Sequence, residues 1–221
     1  MKIKTLLIVG LLFSVANIFA QIPTGYYDGT VGLTGAALKT KLSQIITSGH
    51  QTKSYDNLYN GYPSTDTDKY YEKDGSVLDM YSENPSGADP YVYQHGSKQC
   101  GNYKVEGDCY NREHVFPQGY FNSASPMVSD IHHIVPTDGK VNGYRSSFPF
   151  GKVGTANFVS ENGSKRGTSA SPNYSGTVFE PIDEFKGDIA RMILYFATRY
   201  ESKLSSFDDN DILTNSTFPG V

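Results

Sequence analysis

Several residues in the middle of this chain are of types that could act together on a phosphodiester. Arg112, Glu113 and His114 are consecutive, and Asn142 stands three residues before Arg145. A carboxylate and an amide carbonyl are hard oxygen ligands that suit Mg²⁺ or Ca²⁺. A histidine can take a proton from water near neutral pH, and an arginine can brace a phosphate with a planar fork of donors. This set of side chains therefore indicates metal-assisted phosphodiester hydrolysis.

A series of short motifs surrounds these residues in a fixed order. The motifs are Asn111–His114 with Pro117, Asp130–His133 with Pro136, Asp138-Gly139, Asn142-Gly143 with Arg145-Ser146, and Phe148–Gly151. The series resembles the bacterial endonuclease I family, secreted or periplasmic nucleases of the ββα-metal (His-Me finger) class. A weaker resemblance runs from about residue 33 through the segment 189–200, so it covers most of the chain.

The resemblance implies a role for three of these residues. Glu113 and Asn142 would hold one divalent cation, and His114 would be the general base. Mg²⁺ is the expected cofactor, because it keeps several waters, with Ca²⁺ or Mn²⁺ as alternatives. His114 must be neutral to act, so activity is expected to fall as it protonates at acidic pH. The expected substrate is DNA, with RNA as an alternative, gripped by its backbone and cut with little sequence preference.

The adjacency of Glu113 and His114 places a condition on the local structure. Neighbouring residues of a regular strand point to opposite faces. Both side chains can reach one site only if the strand ends or bulges there. Pro117 just downstream is consistent with such an irregularity.

The arginines are the candidates for neutralising phosphate charge. Arg145 shares a helical face with Asn142 and is expected to contact phosphate or a site carboxylate. The alternative is a structural ion pair with Asp130 or Asp138. The resemblance implies, from some relatives, a phosphate-stabilising arginine in the connection between the two strands, but residues 118–129 contain no Arg or Lys. Arg112 is therefore the second catalytic candidate.

Three further residues are expected to support the site rather than to react. Asp130, His132 and His133 lie in one motif. Adjacent strand residues diverge, so we expect one histidine to orient the site by a hydrogen bond and the other to pack. A zinc hydrolase is excluded because the sequence has no H-E-x-x-H motif. The tyrosines between residues 55 and 93 could stack on bases, but packing is the favoured interpretation.

The start of the chain predicts export. Residues 1–20 read as a signal peptide, with Lys2 and Lys4 before an apolar run that ends at Ala20. The expected product is a secreted or periplasmic domain of residues 21–221, monomeric and without a membrane segment. Members of the resembled family commonly continue further, so we read the C-terminal end as a candidate truncation.

The charge distribution bears on the substrate. The formal net charge is −4, or −6 without Lys2 and Lys4, which argues mildly against nucleic acid. Residues 98–166 nevertheless hold eight basic and six acidic residues, a net +2, against −8 for the rest of that domain. The motif region is therefore the least acidic part, as a phosphate-binding surface requires.

The two cysteines, Cys100 and Cys109, are expected to pair, because an exported chain meets an oxidising compartment. The bridge would close a short loop just before His114. Loop-closure entropy gives it a stabilisation of roughly 2–3 kcal/mol.

Hydrophobic periodicity predicts helices over 33–47 and 181–200, a strand over 76–82, and loops over 51–75 and 83–108. Around the motifs, a strand presenting His114 and continuing through Phe116 is followed by a connection over 118–129, a strand over 131–135 and a helix through about Arg145. Thr137 is the expected N-cap. The Gly- and Ser-rich stretch 151–175 is expected to be a surface excursion. The prediction is an α+β domain of helices and short strands around a ββα-metal core.

Two other functions compete with the nuclease interpretation. One is a non-catalytic binding or adhesion module on the same fold, against which the intact set Glu113, His114 and Asn142 argues. The other is a phosphoesterase for small or lipid substrates, which the weak basic bias allows. A salt titration separates them, because polymer binding weakens steeply with added salt.

Overall fold

The structure is a computed structural model that describes residues 22–207 and residue 212. Its helices are α1 (Gly35–Thr47), α2 (Leu58–Thr65), α3 (Gly139–Arg145) and α4 (Asp183–Arg199). Its strands are β1 (Tyr110–His114), β2 (Ile134–Asp138), β3 (Val153–Val159), β4 (Lys165–Ser169) and β5 (Thr177–Glu180). This mixture confirms the α+β class. The predicted signal peptide and the end of the chain lie outside the described residues, except for residue 212.

The centre of the fold is an antiparallel pair of strands followed directly by a short helix. Strands β1 and β2 pair from Tyr110 opposite Asp138 to His114 opposite Ile134. Helix α3 begins at the residue after β2. The predicted order of strand, connection, strand and helix is therefore correct. The boundaries shift: β1 ends at His114 instead of continuing through Phe116, and β2 begins at residue 134 instead of 131.

The start of α3 differs from the prediction by one residue. Asp138, not Thr137, is the N-cap, and its side chain accepts a hydrogen bond from the Val141 amide. An aspartate at this position satisfies a free amide of the first turn and complements the positive end of the helix dipole. Tyr93 and Gly107 also donate to Asp138, so the cap joins the helix to the preceding loops.

The stretch 151–175 lies largely at the surface, as predicted, but it contains two strands of a second sheet, in the order β3-β4-β5. The strands were missed because they carry few large apolar residues. Gly167 shows why small residues are needed: an added Cβ would lie 2.0 Å from the Thr155 carbonyl oxygen. The sheet packs on α3 through Tyr144 and Phe158, whose rings stack 3.8 Å apart.

The N-terminal half gives one confirmed helix and two errors. Helix α1 begins two residues later than predicted and packs against α4, whose predicted range was correct to within two residues. Helix α2 lies in a stretch predicted as loop, because its polar composition and Pro63 hid the buried pair Leu58 and Tyr62. The predicted strand over 76–82 is irregular instead, since the Tyr81 amide and the Asp138 amide both bind the Asp79 carboxylate.

Aromatic residues form much of the core. The ring centroids of Phe116 and Phe196 are 4.2 Å apart, which packs the residues after β1 against α4. The cluster also contains Phe121, Met127, Tyr200, Leu204 and Phe207. Among the described residues, no helix combines the length and the apolar character that a membrane span requires. The Cys100–Cys109 disulfide is present, as predicted, with 5.8 Å between the Cα atoms.

Candidate active site

A cavity of about 760 Å³ opens where β1 ends against α3. Five of the predicted site residues line it: Arg112, Glu113, His114, Asn142 and Arg145. The other walls come from residues 55–56, 59–60, 99–101, 111, 117–119 and 146–147. Because β1 ends at His114, the two adjacent side chains Glu113 and His114 reach the same cavity.

His114 is held by one hydrogen bond and one ring contact. Its Nε2 lies 3.2 Å from the Val128 carbonyl oxygen. A carbonyl only accepts, so Nε2 carries the hydrogen and Nδ1 keeps the lone pair. The Tyr55 ring stacks on the imidazole with 5.8 Å between centroids. No described group hydrogen-bonds Nδ1, which leaves that atom available to a water in the cavity.

The environment of His114 keeps the ring neutral. Burial, followed by the nearby charges of His133, Arg112 and Arg145, lowers the pKa of His114 to about 3, against a raising effect of the Val128 hydrogen bond. The loss of activity expected at acidic pH from protonation of His114 is therefore displaced well below pH 6.

Glu113 is a buried carboxylate with two partners on one oxygen. Its Oε1 accepts a hydrogen bond from the Tyr81 hydroxyl at 3.0 Å and lies 3.2 Å from Arg145 Nη1. Burial raises the pKa of Glu113 to about 7, and Arg145 and Tyr81 oppose that rise. Within the described residues Oε2 has no hydrogen-bond partner, so one oxygen remains free beside the cavity.

Asn142 is oriented by the neighbouring strand. Its Nδ2 donates to Asn111 Oδ1 at 2.7 Å, which leaves the amide oxygen without a partner among the described residues. The glycine that follows is required by packing: a Cβ on Gly143 would lie 2.1 Å from the Tyr103 hydroxyl. Tyr103 belongs to the loop closed by the disulfide, so that loop packs directly on the helix that carries Asn142.

The donor set fits a hard divalent cation. Glu113 and Asn142 each present one uncommitted oxygen in the same cavity, and both oxygens are of the kind that Mg²⁺, Ca²⁺ and Mn²⁺ accept. Two protein oxygens leave room for several waters, which is the usual arrangement around Mg²⁺. The tyrosine and arginine on the other oxygen of Glu113 fix the direction of its carboxylate, in the way that outer partners orient metal ligands.

Arg145 lies inside the protein, with 1% of its surface exposed. Its Nη1 donates to the His114 carbonyl at 2.9 Å and its Nη2 to the Val115 carbonyl at 2.6 Å. With the ion pair to Glu113, both terminal nitrogens are engaged. Of the predicted contacts, the structure shows the one to a site carboxylate and none to Asp130 or Asp138.

Arg112 is more accessible. Its guanidinium carbon stands 3.5 Å from the centroid of the Tyr55 ring, and Nη1 donates to the Tyr55 carbonyl and to Asp56. Asp56 is almost fully exposed, so this ion pair is readily exchanged for another anion. Arg112 is thus the better placed of the two arginines for a phosphate.

The three predicted supporting residues lie outside the cavity walls. His133 is fully buried and its Nε2 lies 2.9 Å from the Met127 carbonyl oxygen. Asp130 accepts from the hydroxyls of Tyr195 and Tyr200 and pairs with His132 Nδ1 at 3.1 Å. His133 nevertheless stands beside His114, with 6.0 Å between ring centroids.

Sequence reasoning missed three residues that shape the site. Tyr81 directs Glu113, Tyr55 covers His114, and Asn111 orients Asn142. Asn111 carried a detectable signal, since it belongs to the motif with Glu113 and His114. The tyrosines carried none, because their partners are distant in sequence.

Comparison with known proteins shows the family of this chain. The family model described as Endonuclease I matches residues 34–220. A protein named Extracellular ribonuclease from Bacillus subtilis (strain 168) is 36% identical over 179 residues, covering 80% of this chain and 54% of that protein. A protein of the same name from Bacillus amyloliquefaciens is 36% identical over 179 residues, with 80% and 53% covered. The chain thus spans about half the length of the curated relatives it matches. No solved structure matches it significantly.

Proposed function

The chain belongs to the endonuclease I family, and we propose that it is a metal-dependent endonuclease that hydrolyses phosphodiester bonds with little sequence preference. The observation that carries the proposal is one cavity that brings together the free Nδ1 of His114, a free oxygen of Glu113 and the free amide oxygen of Asn142. A base beside two hard oxygen ligands is what metal-assisted hydrolysis needs.

In this proposal His114 starts the reaction as the general base. A water in the cavity loses a proton to Nδ1 as its oxygen attacks phosphorus, and the 3′ oxygen leaves. The Val128 carbonyl holds the opposite nitrogen, so the ring accepts the proton without rotating. A bound divalent cation would stabilise negative charge on the phosphate and on the leaving oxygen as a Lewis acid.

The two arginines have separate proposed roles. Arg112, at the cavity wall and partly exposed, braces a phosphate by exchanging Asp56 for it. Arg145 acts as a positioning residue, because it ties the Glu113 carboxylate to the backbone carbonyls at the end of β1. Asp130, His132 and His133 support the framework behind His114.

The proposed substrates are DNA and RNA. The matched relatives are named extracellular ribonucleases, which favours RNA. The cavity wall also carries Tyr55 and Tyr59, whose rings both lie under Arg112. These groups suit contact with a backbone phosphate and an adjacent base face, which are common to all sequences. We further propose a secreted or periplasmic monomer that uses Mg²⁺, with Ca²⁺ or Mn²⁺ as alternatives.

The test is cleavage of supercoiled plasmid and of RNA by residues 21–221, with Mg²⁺ and with EDTA. His114→Ala is expected to lower the rate by about 10²–10⁴-fold, the usual contribution of a general base. His50→Ala is the matched control, because His50 is exposed and does not line the cavity.

The outcomes separate the competing functions. A folded wild type that leaves both polymers uncut with every divalent metal would favour a binding module. Turnover of small phosphodiesters that changes little with added salt would favour a phosphoesterase, since polymer binding should weaken steeply. Equal rates for wild type and His114→Ala would show that another group is the base.

A further inference from the structure

A second group of carboxylates lies outside the cavity. Glu72, Glu83 and Asp89 each place one carboxylate oxygen within 4.8 Å of the others. They belong to the segment 66–93, which contains seven acidic residues and only two lysines. None of the three lines the cavity described above. Within the described part of the chain, none forms a salt bridge with a lysine, arginine or histidine.

Glu83 is the unusual member of this group. Only 2% of its surface is exposed, and its Oε1 is buried without a hydrogen-bond partner among the described residues. Its backbone is fixed, because its amide donates to the Asp79 carbonyl and its carbonyl accepts from Asn162. A carboxylate that is both buried and unpartnered is costly unless a cation or a proton compensates it.

We propose that Glu72, Glu83 and Asp89 form a Ca²⁺ site, separate from the hydrolytic cavity. Ca²⁺ binds oxygens at about 2.4 Å, so two oxygens on one ion can stand at most about 4.8 Å apart, and the three carboxylate oxygens lie within that limit. Mg²⁺ demands regular octahedral geometry, keeps several waters and is usually bound through only one or two carboxylates, so a group of three carboxylates favours Ca²⁺. The exposed Glu72 leaves room for waters to complete the shell.

The electrostatics of the cluster agree with this geometry. Burial, together with the nearby charges of Asp89, Glu72, Asp68 and Asp79, raises the pKa of Glu83 to about 8. Burial likewise raises the pKa of Asp89 to about 6. The negative charges repel one another, and a divalent cation would remove that repulsion.

The position of the cluster indicates that a bound ion would stabilise the segment 66–93. The same segment supplies Tyr81, whose hydroxyl binds Glu113, and Asp79, which binds the amide of Asp138 at the start of α3. An ion bridging residues 72, 83 and 89 would close the segment around these two contacts. The site therefore stabilises the support of the cavity and does not depend on the proposed hydrolysis.

Thermal unfolding of residues 21–221 in EDTA and in millimolar Ca²⁺ tests the proposal. The measurement is made in an Asn142→Ala background, which weakens any site in the cavity. Ca²⁺ is expected to raise the midpoint by about 3–6 °C at ten times the dissociation constant. Adding Glu83→Gln should abolish this shift, whereas Glu161→Gln, at an exposed glutamate outside the cluster, should retain it.

Two further measurements test the proposal if Glu83→Gln changes the stability of the chain or prevents folding. In EDTA, Glu83→Gln should not lower the midpoint, because it replaces an acidic group that is buried without a hydrogen-bond partner among the described residues. If that variant does not fold, Glu72→Gln at the exposed ligand should weaken Ca²⁺ affinity by at least about tenfold in calorimetry. Equal Ca²⁺ shifts with and without Glu83→Gln, no shift in the background chain, or an equal shift with Mg²⁺ would overturn the proposal. Nuclease activity enters none of these measurements, so their failure leaves the proposed function untouched.

Discussion

Glu113 and Glu83 are both glutamates with 2% of their surface exposed, yet the groups around them differ. Glu113 has an arginine and a tyrosine hydroxyl on one oxygen, while the other oxygen remains free beside the cavity. Glu83 has acidic neighbours, and one of its oxygens is buried without a hydrogen-bond partner among the residues that the structure describes. The fold therefore neutralises the buried carboxylate of Glu113 with an arginine side chain. For Glu83 we propose that a Ca²⁺ ion from solution does the same.

Substitution of Glu113, the glutamate that is paired with an arginine, should have the largest effect on activity. Glu113→Gln removes the charged ligand that the proposed cation needs, so turnover is expected to fall roughly 10³-fold, equivalent to several kcal/mol of transition-state stabilisation. Initial rates of plasmid cleavage at saturating Mg²⁺ measure this. Glu161→Gln is the control and should stay within about twofold, since exposed sites of this kind tolerate change. Full activity of Glu113→Gln would remove Glu113 from the proposed ligand set.

Removal of the Arg145 guanidinium, which neutralises Glu113, should have the next largest effect, and this effect is on the free energy of unfolding. Arg145→Met keeps much of the side-chain volume but leaves Glu113 unpaired and two carbonyls without donors, at a cost of about 3–5 kcal/mol. Urea unfolding gives the free-energy difference. Arg191→Met, which breaks only an exposed ion pair with Asp188, should cost less than about 1 kcal/mol. Similar losses for the two variants would mean that Glu113 does not depend on Arg145.

The dependence of stability on pH separates the glutamates from a buried histidine. Burial lowers the pKa of His133 from about 6.5 to about 4, against the raising effects of Asp130 and the Met127 carbonyl. The unfolded chain therefore takes up this proton first as the pH falls. The stabilisation is complete above about pH 6.5 and is lost as the pH falls through about 4, a change of roughly 3 kcal/mol.

The raised pKa values of Glu113 and Glu83 act in the opposite direction, because a raised carboxyl pKa gives stability that is lost as the pH rises. His133→Gln should therefore flatten the acid side of the stability profile, measured by urea unfolding at several pH values between 4 and 7. His50→Gln, at an exposed histidine, should leave the profile as it is. An unchanged acid slope in His133→Gln would contradict the assignment.

Sequence patterns predicted the parts of this fold that depend on local order. Helices α1 and α4 followed from apolar residues recurring at three and four positions, and the order of β1, β2 and α3 followed from the motifs. The missed elements lack such patterns. Helix α2 contains Gly61 and Pro63, and strands β3 and β4 expose most of their side chains, so pairing and not periodicity specifies them.

The sequence by itself determined which chemistry the site could offer. Residue type and spacing within the motifs define a base, two oxygen ligands for a metal ion and two arginine side chains. Tertiary structure decided how each group is used. It buried Arg145 against Glu113 and left Arg112 at the cavity wall. It also brought Tyr81 to Glu113 and left one oxygen of Glu83 without a hydrogen-bond partner in the described part of the chain. These differences arise from burial and from contacts between residues far apart in the chain, and neither is encoded in local spacing.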